Sequence, residues 1–188
     1  MTAAVGPELK KPDARQGTAM DYTHRYDSPL GGMTMGSDGN ALTGLWFDGQ
    51  RHEAETLPAD HTEKDLPVFE ETARWLDAYF SGRIPDFTPP LCLRGTAFRR
   101  TVWEILLEIP YGRTVTYGDI AGRIARRQGK SRISARAVGG AVAHNPISLI
   151  VPCHRVVGSG GSLTGYAGGT DKKERLLEME KEHANAAG

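Results

Sequence analysis

Short runs of alternating apolar and polar residues fill the chain between residues 22 and 47. The runs lie at 22–26, 33–35 and 41–47. Turn-forming residues separate them at 28–32 and 37–40. Alternation with a period of two is typical of strands that have one buried face, and Gly, Pro, Asn and Asp favour the turns between strands. The pattern therefore predicts a small antiparallel meander from residue 21 onward.

A loop, a helix and a linker are predicted after this meander. Residues 48–65 are polar and acidic, which predicts a loop. Apolar residues then recur at helical spacing, at Val68, Phe69, Ala73, Leu76, Tyr79 and Phe80. Ser81 and Gly82 end this predicted helix, and three prolines between residues 85 and 90 favour a linker to a second module.

The second half of the chain has the pattern of several helices. Thr96 can cap a helix whose apolar residues share one face, and Pro110 ends that helix. Thr116 and Asp119 have the spacing of a capping box at the start of a second helix. Both helices are therefore predicted with a defined first residue.

A third helix is predicted over residues 135–144. A polar connection at 126–133 leads into it through Ser134, and Asn145-Pro146 closes it. Together with the preceding helix it has the pattern of a helix-turn-helix.

Small residues dominate this third helix. They are Ala135, Ala137, Gly139, Gly140, Ala141 and Ala143. Arg136 is the long side chain near its start, and six cations with no acid lie from Arg123 to Arg136. Tight packing against another helix would explain the small residues, and so would a backbone that approaches a large polyanion closely. The cationic run favours the second explanation, contact with the phosphates of DNA.

Charge is divided unequally between the two halves of the chain. The whole chain has 23 Lys and Arg and 23 Asp and Glu. Residues 1–93 hold 8 basic and 15 acidic residues, a net charge of −7, whereas residues 94–188 hold 15 and 8, a net charge of +7. The asymmetry indicates a second half that meets a polyanion, although two solvated faces that happen to balance would produce the same numbers.

Length and composition limit the class of protein. A chain of 188 residues can bury a core without disulfides, in one domain or two small ones. It has no run of about 18 apolar residues that would span a membrane, and its polar first 20 residues lack the apolar stretch of a signal peptide. We therefore expect a cytoplasmic protein.

The predicted fold class is α+β. We expect a small N-terminal antiparallel sheet with a packed helix, followed by a mostly helical C-terminal domain that contains the helix-turn-helix. The predicted divisions are a disordered tail over 1–20, an N-terminal domain over 21–90, a C-terminal domain over 91–183 and a second tail over 184–188.

Cys153 is the candidate reactive residue, and it lies between two short apolar runs. The two cysteines do not make a disulfide framework and the six histidines lack zinc-ligand spacing, so no metal site is predicted. A cysteine in apolar surroundings is usually inert, but a nearby imidazole lowers the pKa of a thiol. Adjacent side chains of an extended segment point to opposite faces. His154 can therefore reach the sulfur only if the chain turns at Pro152 or if a water bridges the two groups.

Two more candidates lie near the C-terminus. Glycine-rich stretches at 158–162 and 165–169 flank Tyr166, which is predicted to be exposed. In the predicted last helix, Glu180 lies on the same side as Leu176 and Leu177. A carboxylate on an apolar stripe needs a partner if it is buried. The pattern alone favours the alternative, an exposed glutamate on a frayed helix.

Five motifs follow one another in the second half of the chain. They are Tyr117-Gly-Asp-Ile-Ala121, Ala135-Arg-Ala-Val-Gly-Gly-Ala141, Asn145-Pro146, Ile150-Val-Pro-Cys-His-Arg-Val156 and Gly165-Tyr-Ala-Gly-Gly169. In this order they resemble the O6-alkylguanine-DNA alkyltransferase family. The resemblance spans about residues 96–180, and the N-terminal half resembles the family only in its layout.

The resemblance implies DNA repair by transfer of an alkyl group from O6 of guanine to a cysteine. Cys153 would be the acceptor, modified once and irreversibly, with no cofactor. His154 would act through a bound water and be oriented by Glu180, so that the sulfur is poised as thiolate. Asn145 would bridge the recognition helix to the active-site loop.

The resemblance also implies how a monomer would hold double-stranded DNA through the minor groove. Arg136 would fill the space left when the damaged nucleotide is flipped out of the duplex. The pocket for that nucleotide would be lined by Tyr117, Val151, Val156, Tyr166 and Ala167. The other residues in contact with DNA would be Thr116, Ala135, Ala137 and Gly139.

The chain departs from the family pattern at several places. His144 stands where glycine is usual before Asn-Pro, and it would alter the turn or add a phosphate contact. Ala167 replaces a serine found in some relatives, and the connection 126–134 is longer than in compact members. The N-terminal cysteines of the family's zinc-bearing variants are absent from this sequence.

Two other functions fit parts of the pattern. A DNA-binding regulator would use the helix-turn-helix to bind an operator and Cys153 as a sensor, but the small residues around Arg136 offer few side chains to read bases. A cysteine hydrolase would pair Cys153 with His154, but nothing in the sequence marks an oxyanion hole.

Overall fold

A mixed sheet of six strands forms the N-terminal part of the molecule. The computed structural model describes residues 7–11 and 20–186. The strands are β1 (Leu9–Lys10), β2 (Asp21–Ser28), β3 (Gly31–Ser37), β4 (Leu42–Phe47), β5 (His61–Glu63) and β6 (Leu91–Cys92). They lie in the order β1-β6-β4-β3-β2-β5.

The predicted meander is present as β2, β3 and β4. Adjacent strands pair antiparallel, with Tyr26 opposite Met33 and Met35 opposite Leu45. Gly31 has a φ of +113° in the tight connection from β2, a conformation that glycine adopts without a steric penalty. The side chains of Met33 and Met35 are fully buried, so this alternation places one face of β3 in the core.

Three predictions at the edges of this sheet are wrong. Leu9–Lys10, part of the predicted tail, pairs parallel with Leu91–Cys92, whereas residues 1–6 and 12–19 of that tail lie outside the described residues. Because Leu91–Cys92 belongs to the sheet, the boundary at 90/91 divides the N-terminal unit. His61–Glu63, within the predicted loop, pairs parallel with β2. Strands of two or three residues are too short to show an alternating pattern, so the sequence gives no signal for them.

Helix α1 (Pro67–Phe80) packs against the sheet, as predicted. Pro67 occupies its first turn, where the missing N–H costs no hydrogen bond, and the helix ends at Ser81. Its apolar stripe is buried, and Tyr79 near its end is fully buried. That position directs the Tyr79 hydroxyl toward the C-terminal part of the molecule, where it donates to Glu180.

The C-terminal part is mostly helical. Its elements are α2 (Ala97–Leu106), β7 (Val115–Thr116), α3 (Tyr117–Arg127), α4 (Ala135–Ala143), β8 (Val156–Val157) and α5 (Thr170–Ala186), with short 3-10 turns at Cys153–Arg155 and Ser159–Gly161. With the sheet domain, these helices confirm the predicted α+β class. Helix α5 continues to Ala186, so the prediction of a tail from residue 184 is wrong as far as residue 186.

Hydrogen-bonding side chains set the first residues of α2 and α3, as predicted. The Thr96 side chain accepts from the backbone N–H of Arg99 at the start of α2. Thr116 and Asp119 form the predicted capping box of α3. The prediction that this helix extends to Pro110 is wrong, because α2 ends at Leu106 and the backbone then forms a turn in which Glu108 and Ile109 donate to residues three positions earlier. None of the helices in the described part of the chain has the length and apolar character that a membrane span requires.

The two parts of the molecule share backbone hydrogen bonds. The backbone N–H of Leu45 in β4 donates to the carbonyl of Pro146 at 2.8 Å, and the Leu45 carbonyl accepts from the N–H of Ser148 at 2.8 Å. A third bond, of 3.0 Å, runs from the N–H of Arg51 to the carbonyl of Ala167. The sheet domain is therefore hydrogen-bonded to the segments that precede and follow Cys153.

Candidate active site and DNA interface

Cys153 begins a 3-10 turn and is buried. Pro152 precedes this turn with φ −81° and ψ 65°, and the backbone N–H of Arg155 donates back to the Pro152 carbonyl at 3.0 Å. The turn removes the extended geometry in which adjacent side chains point to opposite faces. The structure therefore has the turn at Pro152, which was one of the two arrangements expected to let His154 reach the thiol.

Asn145 connects the end of α4 to the loop before Cys153. Its side-chain amide donates to the carbonyls of Val151 at 2.8 Å and Ile147 at 3.2 Å, and its Oδ1 accepts from the N–H of Ile147 at 3.1 Å. The side chain is buried, so these are strong constraints on the loop. The geometry has the form of the bridge that the resemblance implies for Asn145.

Glu180 is the centre of a buried polar network around His154. Oε1 of Glu180 accepts from Nε2 of His154 at 2.7 Å and from the Tyr79 hydroxyl at 2.8 Å. Oε2 accepts from Nε of Arg155 at 2.9 Å and from the backbone N–H of Gly112 at 3.0 Å. The expectation of an exposed glutamate, drawn from the helix pattern alone, is wrong because four donors from three separate segments converge on this carboxylate.

The network also fixes the proton on His154. Because Nε2 donates to Glu180, the neutral ring carries its lone pair on Nδ1. Nδ1 is buried and makes no hydrogen bond with any described protein atom. Burial lowers the pKa of His154 more strongly than the Glu180 charge raises it, so the neutral, basic form is favoured.

Burial and nearby charges shift the pKa values of Glu180 and Cys153 in opposite directions. Burial would raise the pKa of Glu180, but the hydrogen bonds and charges of His154 and Arg155 hold it well below its usual range. Burial raises the pKa of the Cys153 thiol, while hydrogen bonding with Asn145 and the charge of Lys173 act to lower it. The resting thiolate that the resemblance implies is therefore opposed by burial, and the proton needs an acceptor at the moment of reaction.

Five residues were expected to line a nucleotide pocket. Val151 and Val156 are fully buried beside Cys153, and Ala167 is partly buried. The Tyr117 hydroxyl donates to the carbonyl of Thr164 at 2.9 Å, which places its ring next to the glycine-rich loop. Tyr166 is partly buried rather than exposed as predicted, and its buried hydroxyl has no hydrogen-bond partner among the described residues.

The outer face of α4 combines small residues with Arg136. Ala135, Arg136 and Ala137 are exposed, whereas Val138 is fully buried against α2 and α3. A Cβ atom placed on Gly140 would meet nothing within 4 Å. Tight internal packing therefore does not explain this glycine.

The other residues that were expected to contact DNA differ in their exposure and in the contacts that they already make within the protein. Gly139 is partly buried near Tyr117. The Thr116 hydroxyl already donates to Asp119 at 2.7 Å in the capping box of α3. Within the cationic run, Arg127 pairs with Glu108 at 2.7 Å and Arg123 pairs with the same residue at 3.9 Å. The other four cations of the run make no ion pair with the residues that the structure describes.

Comparisons with known proteins show which family the chain belongs to. The family described as "6-O-methylguanine DNA methyltransferase, DNA binding domain" matches residues 97–182, and "6-O-methylguanine DNA methyltransferase, ribonuclease-like domain" matches residues 22–93. A methylated-DNA–protein-cysteine methyltransferase of Mycobacterium bovis is 46% identical over 167 residues, which are 89% of this chain and 96% of that protein. The chain belongs to the 6-O-methylguanine DNA methyltransferase family.

Other relatives extend the match within the family. A methylated-DNA–protein-cysteine methyltransferase of Haemophilus influenzae is 41% identical over 165 residues, 87% of this chain and 88% of that protein. The crystal structure of Mycobacterium tuberculosis OGT in complex with DNA has a TM-score of 0.75 and 43% identity, and the match covers 86% of this chain and 94% of that one. The fold and the family therefore extend over both parts of the chain.

Three residues of this methyltransferase site escaped the sequence reasoning. The resemblance gives no role to Arg155, and the helical pattern of Tyr79 predicts only a residue on the apolar face of its helix. Lys173 is fully buried, and its Nζ donates to the carbonyls of Val156 at 2.5 Å and Thr164 at 2.9 Å. A lysine in a polar helix is normally exposed to solvent, so the sequence pattern does not predict that Lys173 is buried.

Proposed function

We propose that this protein repairs DNA by transferring the alkyl group of an O6-alkylguanine to Sγ of Cys153. The observation that carries the proposal is the bridge from Asn145 to the Cys153 loop, which joins the exposed, arginine-bearing helix α4 to a buried thiol. A thiol that reacts only with a base presented by a bound duplex needs such a connection. Family membership supports the same chemistry.

Proton removal from Cys153 is assigned to His154. Nδ1 of His154 is the free basic nitrogen, and a water bridging it to Sγ would carry the proton to the ring. Glu180 accepts from Nε2 and stabilises the imidazolium that forms, in the manner of a buried carboxylate that orients a catalytic histidine. The thiolate is thereby generated in a site whose burial otherwise disfavours it.

Transfer is a displacement at a saturated carbon. The thiolate sulfur forms a bond to the alkyl carbon as the bond from that carbon to O6 breaks, and the leaving guanine takes up the proton that the thiol lost. The product is a thioether, which neither water nor a mild reductant cleaves, so each molecule reacts once. The reaction as proposed uses no cofactor.

The damaged nucleotide must leave the duplex to reach Cys153, because the alkyl carbon is inaccessible in a stacked helix. We assign α4 to the minor groove, with Arg136 occupying the vacated space and the small exposed residues of α4 permitting close approach. Tyr117 and Tyr166 would hold the extruded base against Val151, Val156 and Ala167. We further propose that the protein acts as a monomer in the cytoplasm.

Mass spectrometry of the protein after reaction tests this proposal. The protein is incubated with a duplex that contains one O6-methylguanine, and tryptic peptides are weighed. We expect one added methyl group on the Cys153 peptide, one per molecule, and none on the Cys92 peptide. The Cys153→Ser variant is the control and should leave the lesion intact.

Two results would overturn the proposal. Repair with an unmodified Cys153 peptide would indicate a different acceptor, and repair of many lesions by one molecule would indicate a catalyst that turns over. The second result would favour the hydrolase alternative.

A further inference from the structure

Two histidines and a glutamate meet on the surface between the sheet domain and the end of α4. Nδ1 of His144 lies 2.7 Å from Oε2 of Glu55, and Nδ1 of His52 lies 3.3 Å from the same oxygen. The potential ligand atoms of all three residues lie within 4.8 Å of one another. Two imidazoles and a carboxylate form a common set of protein ligands for zinc. We propose that His52, Glu55 and His144 bind a divalent transition metal ion, with Zn²⁺ as the probe that identifies the site.

The spacing of the three side chains fits one shared ion. Bonds of about 2.0–2.2 Å from zinc to nitrogen or oxygen place neighbouring ligand atoms of a tetrahedral ion roughly 3.3–3.5 Å apart. The separation of 3.3 Å between His52 and Glu55 already has this value. Nδ1 of His144 and Oε2 of Glu55 are 2.7 Å apart, so they would have to move apart by less than 1 Å to bind the same ion. Side chains at a partly exposed site can make such a movement. The fourth position would be filled by water.

The rings of His52 and His144 provide independent support. Their centroids are 3.8 Å apart, with 34° between the ring planes. The two rings therefore lie side by side, and one nitrogen of each ring can reach a shared ion.

The loop that carries His52 and Glu55 holds an uncommon backbone conformation. His52 has a φ of +61° and Ala54 a φ of +53°, and few residues other than glycine adopt such values. Strain of this kind often lies at functional sites, where it orients particular side chains. Here it turns His52 back over Glu55 and toward the end of α4.

Nearby charges should limit the affinity of this site for zinc. Glu55 is the one carboxylate of the ligand set, and the positive charge of Arg99 is close enough to act on it. The other acidic side chain of this loop, Glu53, accepts from the backbone N–H of Gly49 at 2.7 Å. A site with one carboxylate and a neighbouring arginine should bind zinc more weakly than a closed site with thiolate ligands.

The consequence of metal binding follows from the position of His144. This residue caps the C-terminus of α4 and directly precedes Asn145, whose side chain holds the Cys153 loop. A bound ion would join the 50–55 loop to the end of α4, and it would raise the stability of the folded chain without taking part in alkyl transfer.

Titration calorimetry with Zn²⁺ on the full, tag-free chain tests the proposal. We expect one equivalent to bind, and we expect His52→Gly and Glu55→Gln each to weaken binding by roughly tenfold or more. Glycine accepts the positive φ at residue 52, so His52→Gly should fold normally without metal. The matched control is His61→Ala, which removes an exposed histidine outside the cluster and should bind zinc like the unaltered chain.

Cobalt spectroscopy separates this site from the two thiols. Co²⁺ bound by imidazole and carboxylate gives visible bands without the intense near-ultraviolet band of a thiolate ligand. A thiolate band would assign the ion to a cysteine and overturn the proposal. So would the absence of zinc binding, or unchanged binding in both His52→Gly and Glu55→Gln.

Discussion

Glu180 accepts a hydrogen bond of 2.7 Å from His154, although 26 positions separate the two residues along the chain. The bond determines which ring nitrogen carries the proton, and it leaves Nδ1 as the basic atom. A single residue of α5 thereby selects the tautomer that the proposed transfer requires.

Replacing Glu180 by glutamine should impair both repair and folding. The variant loses the negative charge that stabilises an imidazolium, so transfer should slow by roughly a hundredfold. It also leaves the buried guanidinium of Arg155 without a counter-ion, at a cost of about 3–5 kcal/mol in the free energy of unfolding. Single-turnover repair rates and denaturant unfolding measure the two effects.

The matched control is Glu178→Gln, which removes an exposed carboxylate from the same helix. This variant should repair DNA and unfold like the unaltered chain. If Glu180→Gln transferred methyl groups at the unaltered rate, Glu180 would have only a structural role.

Acid should destabilise the protein in two stages. The folded state lowers the pKa of His154 from 6.5, mainly through burial, so the unfolded chain gains a proton first and stability falls as the pH drops below about 6.5. The pKa of Glu180 lies well below its ordinary 4.5 because His154 and Arg155 outweigh the effect of burial, so stability falls further below pH 4.5. Melting temperatures measured across the acid range should show both losses, and the second loss should be smaller in Glu180→Gln.

Arg136→Ala should separate binding of the duplex from reaction at the thiol. We assign the Arg136 side chain to the space that the flipped nucleotide leaves in the duplex. Without this side chain, repair of duplex DNA should slow by about tenfold or more. Reaction with a free O6-alkylated guanine base should stay unchanged, because no nucleotide has to be extruded. Arg132→Ala, which removes another exposed cation of the same run, should weaken duplex binding in a salt-dependent way without this split. Equal losses on both substrates in Arg136→Ala would remove its role in extrusion.

Tyr166→Phe should leave the free protein as stable as before or slightly more stable. The Tyr166 hydroxyl is buried without a partner among the described residues, and an unsatisfied buried hydroxyl costs about 1–3 kcal/mol. If this hydroxyl bonds the extruded base, the variant should bind the free alkylated base more weakly. A marked fall in melting temperature would indicate that the hydroxyl already has a stabilising partner.

Lys173→Met should make the Cys153 thiol harder to ionise. The positive charge of Lys173 lowers the pKa of Cys153, and methionine fills a similar volume without that charge. The pH at which iodoacetamide alkylates Cys153 should therefore shift upward. Lys172→Met provides the control, since Lys172 is partly exposed on the same helix turn. An identical pH profile for Lys173→Met and the unaltered chain would contradict this role.

Local patterns predicted the parts of the fold that local interactions determine. The meander, the helix at 67–80 and the caps at Thr96 and Thr116 all depend on residues close together in the sequence. The two-residue strands β1 and β6 depend on backbone pairing between distant segments, which leaves no periodic signal. The edges of the sheet were therefore the least predictable part.

The same distinction applies to the candidate site. Cys153, His154 and Asn145 lie within a stretch of ten residues and were identified by their motifs. The burial of Glu180 was not visible in its helix, because its hydrogen-bond donors come from α1, from the turn at Gly112 and from the Cys153 segment. The cluster of His52, Glu55 and His144 likewise joins two distant segments, so ligand spacing along the chain could not reveal it.

The backbone bonds of Leu45 with Pro146 and Ser148 have a consequence for how the protein unfolds. They make the central strand of the sheet and the segment before Cys153 parts of one cooperative unit, so heat should unfold the chain in a single transition. A fragment limited to residues 97–186 would lose these partners and expose the corresponding backbone groups to water. Its helices would then lack the support that keeps the reactive loop in one conformation, and the isolated fragment should populate partly unfolded states at temperatures where the intact chain remains native.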